Sequence, residues 1–233
     1  MTNLNGTTRY KNIELVIFDC DGVLIDSEVL SKRVLLKMLG ELGADVSGEY
    51  FDLHFLGHSF AHVTAKVLAD FSVSLPEEFK DDYHQALMET FTAELTTTPE
   101  LQALLSQLSL PSCVATSSSP ERVKHALKVT GLTESFTDCV FTCSEVKRGK
   151  PAPDIFLHAA QKMGVKPQHC LVIEDSAAGI KAAQAAQMQV IKYLGGSHFN
   201  NQETVNSNIT DDVVTIQQWK QLYKLAPSLT LGK

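Results

Sequence analysis

A short apolar run, Leu15–Phe18, is the first candidate for a buried segment of the chain. Apolar residues without polar alternation over so few positions favour a strand that is covered on both faces. The run is followed at once by Asp19, Asp21 and Gly22. Two carboxylates at the end of a buried strand resist joint ionisation unless a cation lies beside them. An ordinary acidic turn is the alternative, because Asp and Gly are common in turns.

The next part of the chain carries apolar residues at helical spacing and no run that is typical of a strand. Ser27 is suited to begin the first of these helices, and Gly43 is suited to end it. We therefore expect a helical insert directly after the acidic strand. Further helices are predicted over residues 49–56, 58–71 and 76–95.

Beyond this insert the pattern changes to alternating helices and strands. Repeated strand–helix units imply an α/β fold with a parallel sheet, right-handed crossovers and helices on both faces. A loose terminus is predicted over residues 1–11 and a polar loop over residues 197–212. We also expect no order at the end of the chain. Strands are predicted over 111–116, 139–142, 170–173 and 190–194. Helices are predicted over 100–108, 121–129, 154–163, 177–186 and 217–225.

Composition narrows the class of protein. The hydrophobic fraction is 44%, the mean hydropathy is −0.02 and the net charge is −7, with acidic and basic residues mixed along the chain. These values indicate a soluble globular protein and argue against a nucleic-acid or membrane surface, which needs a basic face. No apolar stretch approaches the roughly 20 residues that cross a bilayer. The N-terminus lacks the apolar core of a signal peptide, so we expect a cytoplasmic protein. The five cysteines are odd in number and form no CxxC pair, which favours free, buried thiols over disulfides or zinc.

Polar residues follow the predicted strands at the points where these strands end. Thr116 and Ser117 follow the second strand, Lys150 lies in the loop after the third, and Glu174 and Asp175 follow the fourth. In an open parallel sheet the carboxyl ends of the strands form the ligand site. Hydroxyls and N–H groups at a helix start bind phosphoryl oxygens, lysine adds a compact charge, and carboxylates are ligands for Mg²⁺. The sequence therefore predicts a phosphate site with a magnesium ion.

Each of these groups also has a simpler explanation. Thr116 and Ser117 suit an ordinary helix cap, and Lys150 suits an exposed surface. Acidic residues such as Glu174 and Asp175 suit the start of a helix, where they interact favourably with its dipole. The order of the groups, each after a predicted strand, is what favours the joint site.

At this point the sequence resembles the haloacid dehalogenase superfamily. Asp19-Cys-Asp21-Gly resembles its DxD motif, and Thr116 resembles its Ser/Thr motif. Lys150 in Gly-Lys-Pro-Ala-Pro-Asp resembles the lysine motif, and Glu174 in Glu-Asp-Ser-Ala-Ala-Gly resembles the acidic motif. The helical insert looks like the four-helix cap of the β-phosphoglucomutase-like branch. The resemblance implies a Rossmann-like core over residues 1–26 and 96–233, and a cap domain over residues 27–95.

The resemblance also implies roles for the site residues. Asp19 would attack phosphorus and form an aspartyl phosphate, and Lys150 would hold the phosphoryl group together with Thr116 and Ser117. Asp21 would protonate the leaving oxygen and then act as a base toward water. Its presence argues against dehalogenation, because dehalogenases of the family lack this acid. The Mg²⁺ ligands would be Asp19, the backbone carbonyl of Asp21, Asp175 and, nearby, Glu174.

The cap would select the substrate, and Ser31, His58 and Phe60 are the candidates for facing it. The mutases of this branch place a histidine at the position of Ser31 and a phosphate-binding arginine at that of Phe60. Both departures favour a phosphatase that hydrolyses a small phosphomonoester, with a sugar phosphate as the first expectation. A phosphomutase is the alternative activity. For His58 and His62 a solvated helix face is an equal alternative.

Two other classes of protein use parts of this pattern. A response-regulator receiver also has a parallel sheet around a phosphorylated aspartate, but that aspartate lies on a later strand and no helical insert follows the first. A binding module without activity would lack one of the motif residues, and none is missing here. We expect a small phosphorylated metabolite as the partner and a monomer or weak dimer as the assembly.

Overall fold

A computed structural model describes residues 10–199 and 213–229 of the chain. Most of the predicted loose terminus and of the predicted polar loop, and the chain end beyond residue 229, lie outside the described residues. None of the helices in the described part combines the length and the apolar composition that a bilayer crossing requires.

The described residues contain a six-stranded sheet in which every pair of neighbouring strands is parallel. Its strand order is 3-2-1-4-5-6. The order reverses at the pair formed by the first and fourth strands, which is the point where parallel sheets bind ligands. The predicted α/β fold with a parallel sheet is therefore confirmed. The strands are β1 (Leu15–Phe18), β2 (Ser112–Thr116), β3 (Val140–Thr142), β4 (Cys170–Glu174), β5 (Gln189–Tyr193) and β6 (Val214–Ile216).

Helices account for most of the chain between the strands. No strand occurs over residues 28–95, where the sequence predicts a helical insert, and four helices occupy that stretch. We call these four the insert helices. They are α1 (Glu28–Glu41), α2 (Gly48–His54), α3 (Phe60–Phe71) and α4 (Phe79–Glu94). The others are α5 (Leu101–Gln107), α6 (Pro120–Val129), α7 (Asp154–Lys162), α8 (Ala177–Ala185) and α9 (Lys220–Leu225).

Strand β1 lies at the centre of the fold and is buried on both faces, as its apolar run predicts. Val16 and Phe18 face the larger apolar cluster, which includes Trp219 and continues into the insert helices. Leu15 and Ile17 face the second cluster on the other side of the sheet. All four β1 side chains are fully buried. The strand is thus fixed from both sides, and so is the backbone that leads to Asp19.

Two features near the end of the chain differ from the predictions. Strand β6 was not predicted, because only three residues form it and one of them, Thr215, is exposed. It exists by pairing with β5, where Val214 lies beside Ile191. The last helix begins three residues later than predicted, at Lys220. All five cysteines are free, as predicted, although burial is complete only for Cys20, Cys113 and Cys170.

Candidate active site

Asp19 is the first residue after β1, and its backbone N–H donates to the carbonyl of Ile173 in β4 at 2.9 Å. This bond places its carboxylate at the reversal point of the sheet. Lys150 approaches from the loop after β3, and its Nζ lies 2.6 Å from Asp19 Oδ1 and 2.7 Å from Glu174 Oε1. The same ammonium donates to the carbonyl of Ala115 at 3.1 Å. Residues from β1, β4 and the loop after β3 therefore meet at one point, as the sequence pattern predicts.

Three carboxylates form a compact cluster at this point. Asp19, Glu174 and Asp175 each offer one oxygen, and these oxygens lie within 4.8 Å of one another. Burial raises the pKa of Asp19 well above its usual range, and Lys150 offsets only part of this effect. Burial, followed by the charge of Glu174, also raises the pKa of Asp175. One lysine thus leaves the cluster short of positive charge, and an all-oxygen set of this kind fits a hard divalent cation.

Two glycines make room for the carboxylates. A Cβ on Gly179 in α8 would lie only 1.7 Å from Glu174 Oε1. A Cβ on Gly22 would lie 2.1 Å from Asp175 Oδ2, and the backbone of Gly22 has a positive φ of 73°. Real Cβ atoms do not approach that closely, so both positions require glycine. The close approach explains why glycine follows Asp21 and why glycine stands in the first turn of α8.

Asp21 lies beside the cluster, but its carboxylate has different partners. Oδ1 accepts from Ser27 Oγ at 2.6 Å and from Arg122 Nη2 at 2.7 Å, while Oδ2 accepts from Ser118 Oγ at 2.6 Å. Burial opposes ionisation of Asp21, but Arg122 and the two hydroxyls outweigh burial and lower its pKa. Among the described residues, the side chain of Asp21 is not part of the three-carboxylate cluster. Its side chain is therefore engaged by Ser27, Ser118 and Arg122 instead.

Ser27 begins α1, as predicted, but its side chain does not cap the helix. The hydroxyl instead donates to Asp21, and the cause is the fully buried position of Ser27 beside that carboxylate. At the end of β2, Thr116 is buried and its Oγ1 accepts from the backbone N–H of Ser118 at 3.0 Å. Ser119 is the residue that caps α6, by accepting from the N–H of Arg122.

The cluster forms the floor of a pocket of about 390 Å³ between the sheet and the insert helices. All the site residues predicted from the sequence line it, whereas His62 does not. The structure thus brings the candidates from both parts of the chain to one cavity, and their chemical roles remain predictions. On the sheet side these are Asp19, Asp21, Thr116, Ser117, Lys150, Glu174 and Asp175, and on the helix side Ser31, His58 and Phe60.

Arg122 is a pocket residue that the sequence analysis missed. Besides Asp21, its Nη2 lies 3.4 Å from Ser31 Oγ, and its guanidinium carbon lies 5.3 Å from the ring centre of Phe91 in α4. It therefore joins α6 to two of the insert helices. One sequence signal points to it: a cation in the first turn of a helix opposes the helix dipole and so calls for an anionic partner.

The pocket holds three more side chains that the sequence pattern gave no reason to select. They are the titratable side chains of Glu28, Tyr83 and His84, which the insert helices contribute. Burial raises the pKa of Glu28, and the nearby charge of Asp21 raises it further. His198 is not among the lining residues, but its Nε2 lies 3.4 Å from Asp175 Oδ2. A Glu at a helix start and isolated histidines are too common to single out before the fold is known.

Comparisons with known proteins give phosphatases and a structure of the haloacid dehalogenase-like type among the similar chains. A 6-phosphogluconate phosphatase of Escherichia coli is 30% identical over 213 residues, which cover 91% of this chain and 95% of that protein. A fructose-1-phosphate phosphatase of Escherichia coli is 29% identical over 188 residues, covering 78% of this chain and 97% of that protein. The crystal structure of a haloacid dehalogenase-like protein of unknown function from Agrobacterium tumefaciens superposes with a TM-score of 0.79. It is 30% identical and covers 93% of this chain and 98% of that one.

Residues 13–187 match the haloacid dehalogenase-like hydrolase family. This range contains β1 to β4, all four insert helices and every side chain of the pocket floor. The resemblance found in the sequence motifs is therefore confirmed, and the chain belongs to the haloacid dehalogenase-like hydrolase family.

Proposed function

We propose that this protein is a phosphatase that hydrolyses a small phosphomonoester, with Mg²⁺ bound at the three-carboxylate cluster. The observation that carries the proposal is the position of Lys150, which holds Asp19 and Glu174 at the floor of the pocket. The pKa of Lys150 is raised, because its two carboxylate partners outweigh the effect of burial. It is a fixed cation at the place where a phosphoryl group would meet Asp19. The phosphatases among the relatives support the same activity.

In the proposed reaction Asp19 attacks phosphorus, and the bond from phosphorus to the leaving oxygen breaks. Lys150 and the hydroxyls of Thr116 and Ser117 hold the phosphoryl oxygens during this transfer. The pKa of Asp21 is lowered in the free protein, so Asp21 would first take up a proton that arrives with the phosphomonoester. It then gives this proton to the leaving oxygen and later takes one from the water that releases phosphate. Asp19, Glu174 and Asp175 would hold the metal, which neutralises charge on the phosphoryl group when it is bound.

The two sides of the pocket differ in chemical character, which suggests different roles in the reaction. We propose that residues 1–26 and 96–233 form a core domain for the chemistry, and that residues 27–95 form a cap domain for recognition. The core side of the pocket carries most of the charged groups, and the insert helices provide mostly apolar and aromatic walls, such as Phe51, Phe55 and Phe60, together with the carboxylate of Glu28. A few polar groups at the boundary, Ser31 among them, could orient a hydroxylated substrate body.

A sugar phosphate is the proposed substrate class, and the reaction is hydrolysis. The sequence argument against a mutase considered two positions within the insert, Ser31 and Phe60, and Arg122 lies outside the insert. Arg122 enters the pocket from α6 and contacts Ser31. Its charge is already paired with Asp21 at 2.7 Å, so it does not supply an unpaired cation for a second phosphate. Hydrolysis therefore remains the better-supported activity.

A screen of phosphorylated metabolites tests this proposal. Purified protein with Mg²⁺ should release inorganic phosphate from one or more sugar phosphates. Asp19→Asn should abolish release, because an amide is a poor nucleophile, and a thermal melt should show that this variant still folds. Activity of Asp19→Asn within tenfold of the wild type would remove Asp19 from the proposed role.

A further inference from the structure

His198 occupies a space that the surrounding backbone keeps open for it. A Cβ on Gly196 would lie 2.8 Å from the ring, and a Cβ on Gly22 would lie 3.0 Å from it. Only 9% of the His198 side chain is exposed, and the ring packs against Phe199 with 3.8 Å between centres. Gly22 is also the residue whose missing side chain accommodates Asp175. The same glycine thus makes room for the histidine and for the carboxylate beside it.

The turn that carries His198 is fixed to the loop after β1. The backbone N–H of Ser197 donates to Asp26 Oδ1 at 2.9 Å, and the N–H of Asp26 donates to the carbonyl of Thr96 at 3.0 Å. The turn itself closes with a bond from the N–H of Phe199 to the carbonyl of Gly196. A ring held in this way has little freedom to move away from Asp175.

The ring faces Asp175 through one nitrogen. Nε2 lies 3.4 Å from Asp175 Oδ2, and both side chains are 9% exposed. The other nitrogen, Nδ1, is buried and has no hydrogen-bond partner among the described residues. A histidine placed in so closed a site for packing alone would leave two polar atoms to be buried, which costs free energy. The cost is reduced if one of them interacts with a carboxylate.

From these contacts we infer that His198 is a positioning residue, which orients the Asp175 carboxylate for binding the divalent cation. This inference rests on the proposed metal site. Nε2 lies on the Oδ2 side of this carboxylate, 3.4 Å away, and one oxygen of the same carboxylate belongs to the cluster with Asp19 and Glu174. Groups that orient a metal ligand in this way typically change metal affinity by about 10–100-fold when they are removed.

The test is calorimetric titration of Mg²⁺ into the metal-stripped, full-length protein, which measures binding without turnover. His198→Phe keeps a ring and removes the N–H group, whereas His198→Gln keeps an N–H donor near the place of Nε2. His169→Gln is the matched control, because His169 Nδ1 also contacts a carboxylate, Glu14 Oε1 at 2.7 Å, and neither residue lines the pocket. Asp175→Asn is the reference for loss of a ligand.

We expect His198→Phe to weaken Mg²⁺ binding by about 10–100-fold, His198→Gln to recover most of the loss, and His169→Gln to bind as the wild type does. Binding by His198→Phe within twofold of the wild type would overturn the inference, and so would equal losses in the Phe and Gln variants. If the Phe variant does not fold in a thermal melt, His198→Ala replaces it under the same criteria. Unchanged binding by Asp175→Asn would instead show that the proposed metal site is wrong.

Discussion

Replacement of Gly179 by alanine should destabilise this protein, although the same change inside a helix usually stabilises. Glycine in a helix costs about 1 kcal/mol relative to alanine. At Gly179, however, the new Cβ would lie 1.7 Å from Oε1 and 1.9 Å from the carboxyl carbon of Glu174. The carboxylate would have to leave its position, where it accepts from Lys150 at 2.7 Å and from the N–H of Ser176 at 2.7 Å.

The destabilisation by Gly179→Ala combines two costs. Overpacking of a closed interior typically costs about 1–3 kcal/mol, and breaking a buried ion pair adds up to about 3–5 kcal/mol. The helix gain of about 1 kcal/mol offsets only the low end of the overpacking cost, so the loss of the ion pair leaves a net destabilisation of more than about 1 kcal/mol. Gly40 is the matched control, because it lies in α1 with no atom within 4 Å of an added Cβ. Gly40→Ala should therefore stabilise by up to about 1 kcal/mol.

Thermal melts in EDTA separate these outcomes, because they exclude stabilisation by bound metal. For a chain of this size, 1 kcal/mol corresponds to a shift of roughly 2–4 °C. Gly179→Ala should melt below the wild type by at least that much and lose phosphatase activity, whereas Gly40→Ala should melt slightly higher and keep its activity. A Gly179→Ala protein that melts at or above the wild-type temperature and remains active would refute the packing argument.

Three further predictions follow from the site. EDTA should stop activity and Mg²⁺ should restore it, whereas Ca²⁺ should not, because its larger and looser shell misplaces the reacting groups; full activity in metal-free buffer would contradict this. Given β-glucose 1-phosphate, the protein should release phosphate, if it acts on this compound, and form no glucose 6-phosphate; rapid formation of glucose 6-phosphate would show a mutase. Arg122→Gln should lower the free energy of unfolding by about 1–3 kcal/mol at pH 7, because Asp21 loses a charged partner. Since the pKa of Asp21 is lowered in the folded protein, this contribution is present above the unfolded value of about 3.9 and is lost as pH falls through the folded pKa. The difference in melting temperature from the wild type should therefore shrink below about pH 4, and a constant difference would count against the ion pair.

The sequence predicts those parts of the site that depend on strand order alone. Asp19, Thr116 and Glu174 each end or follow a strand, and parallel strands bring such positions to one edge of the sheet. Lys150 could be placed in the same way, from its loop after β3. The positions of these residues can be predicted from the alternation of strands and helices alone, without side-chain geometry.

The remaining features depend on tertiary contacts that no local pattern contains. Arg122 reaches Asp21 from α6, which packs against α4, so an argument confined to positions within the insert misses it. His198 reaches Asp175 because two glycines leave space for its ring. Strand β6 forms only by pairing with β5. Periodicity reports which face of an element is buried, and it does not report which elements meet.

The central claim, covalent transfer of the phosphoryl group to Asp19, is tested most directly by trapping the adduct. The Asp21→Asn variant is mixed with Mg²⁺ and p-nitrophenyl phosphate, whose leaving group needs no protonation, and is then quenched in acid. Because the variant lacks Asp21 as the base, water should hydrolyse the phosphorylated Asp19 slowly, so the adduct should accumulate. Mass spectrometry of the digested protein should find one phosphoryl group on the peptide that contains Asp19, and none when Asp19 is also replaced by Asn. Release of p-nitrophenol without a phosphoryl group on Asp19 would contradict the account.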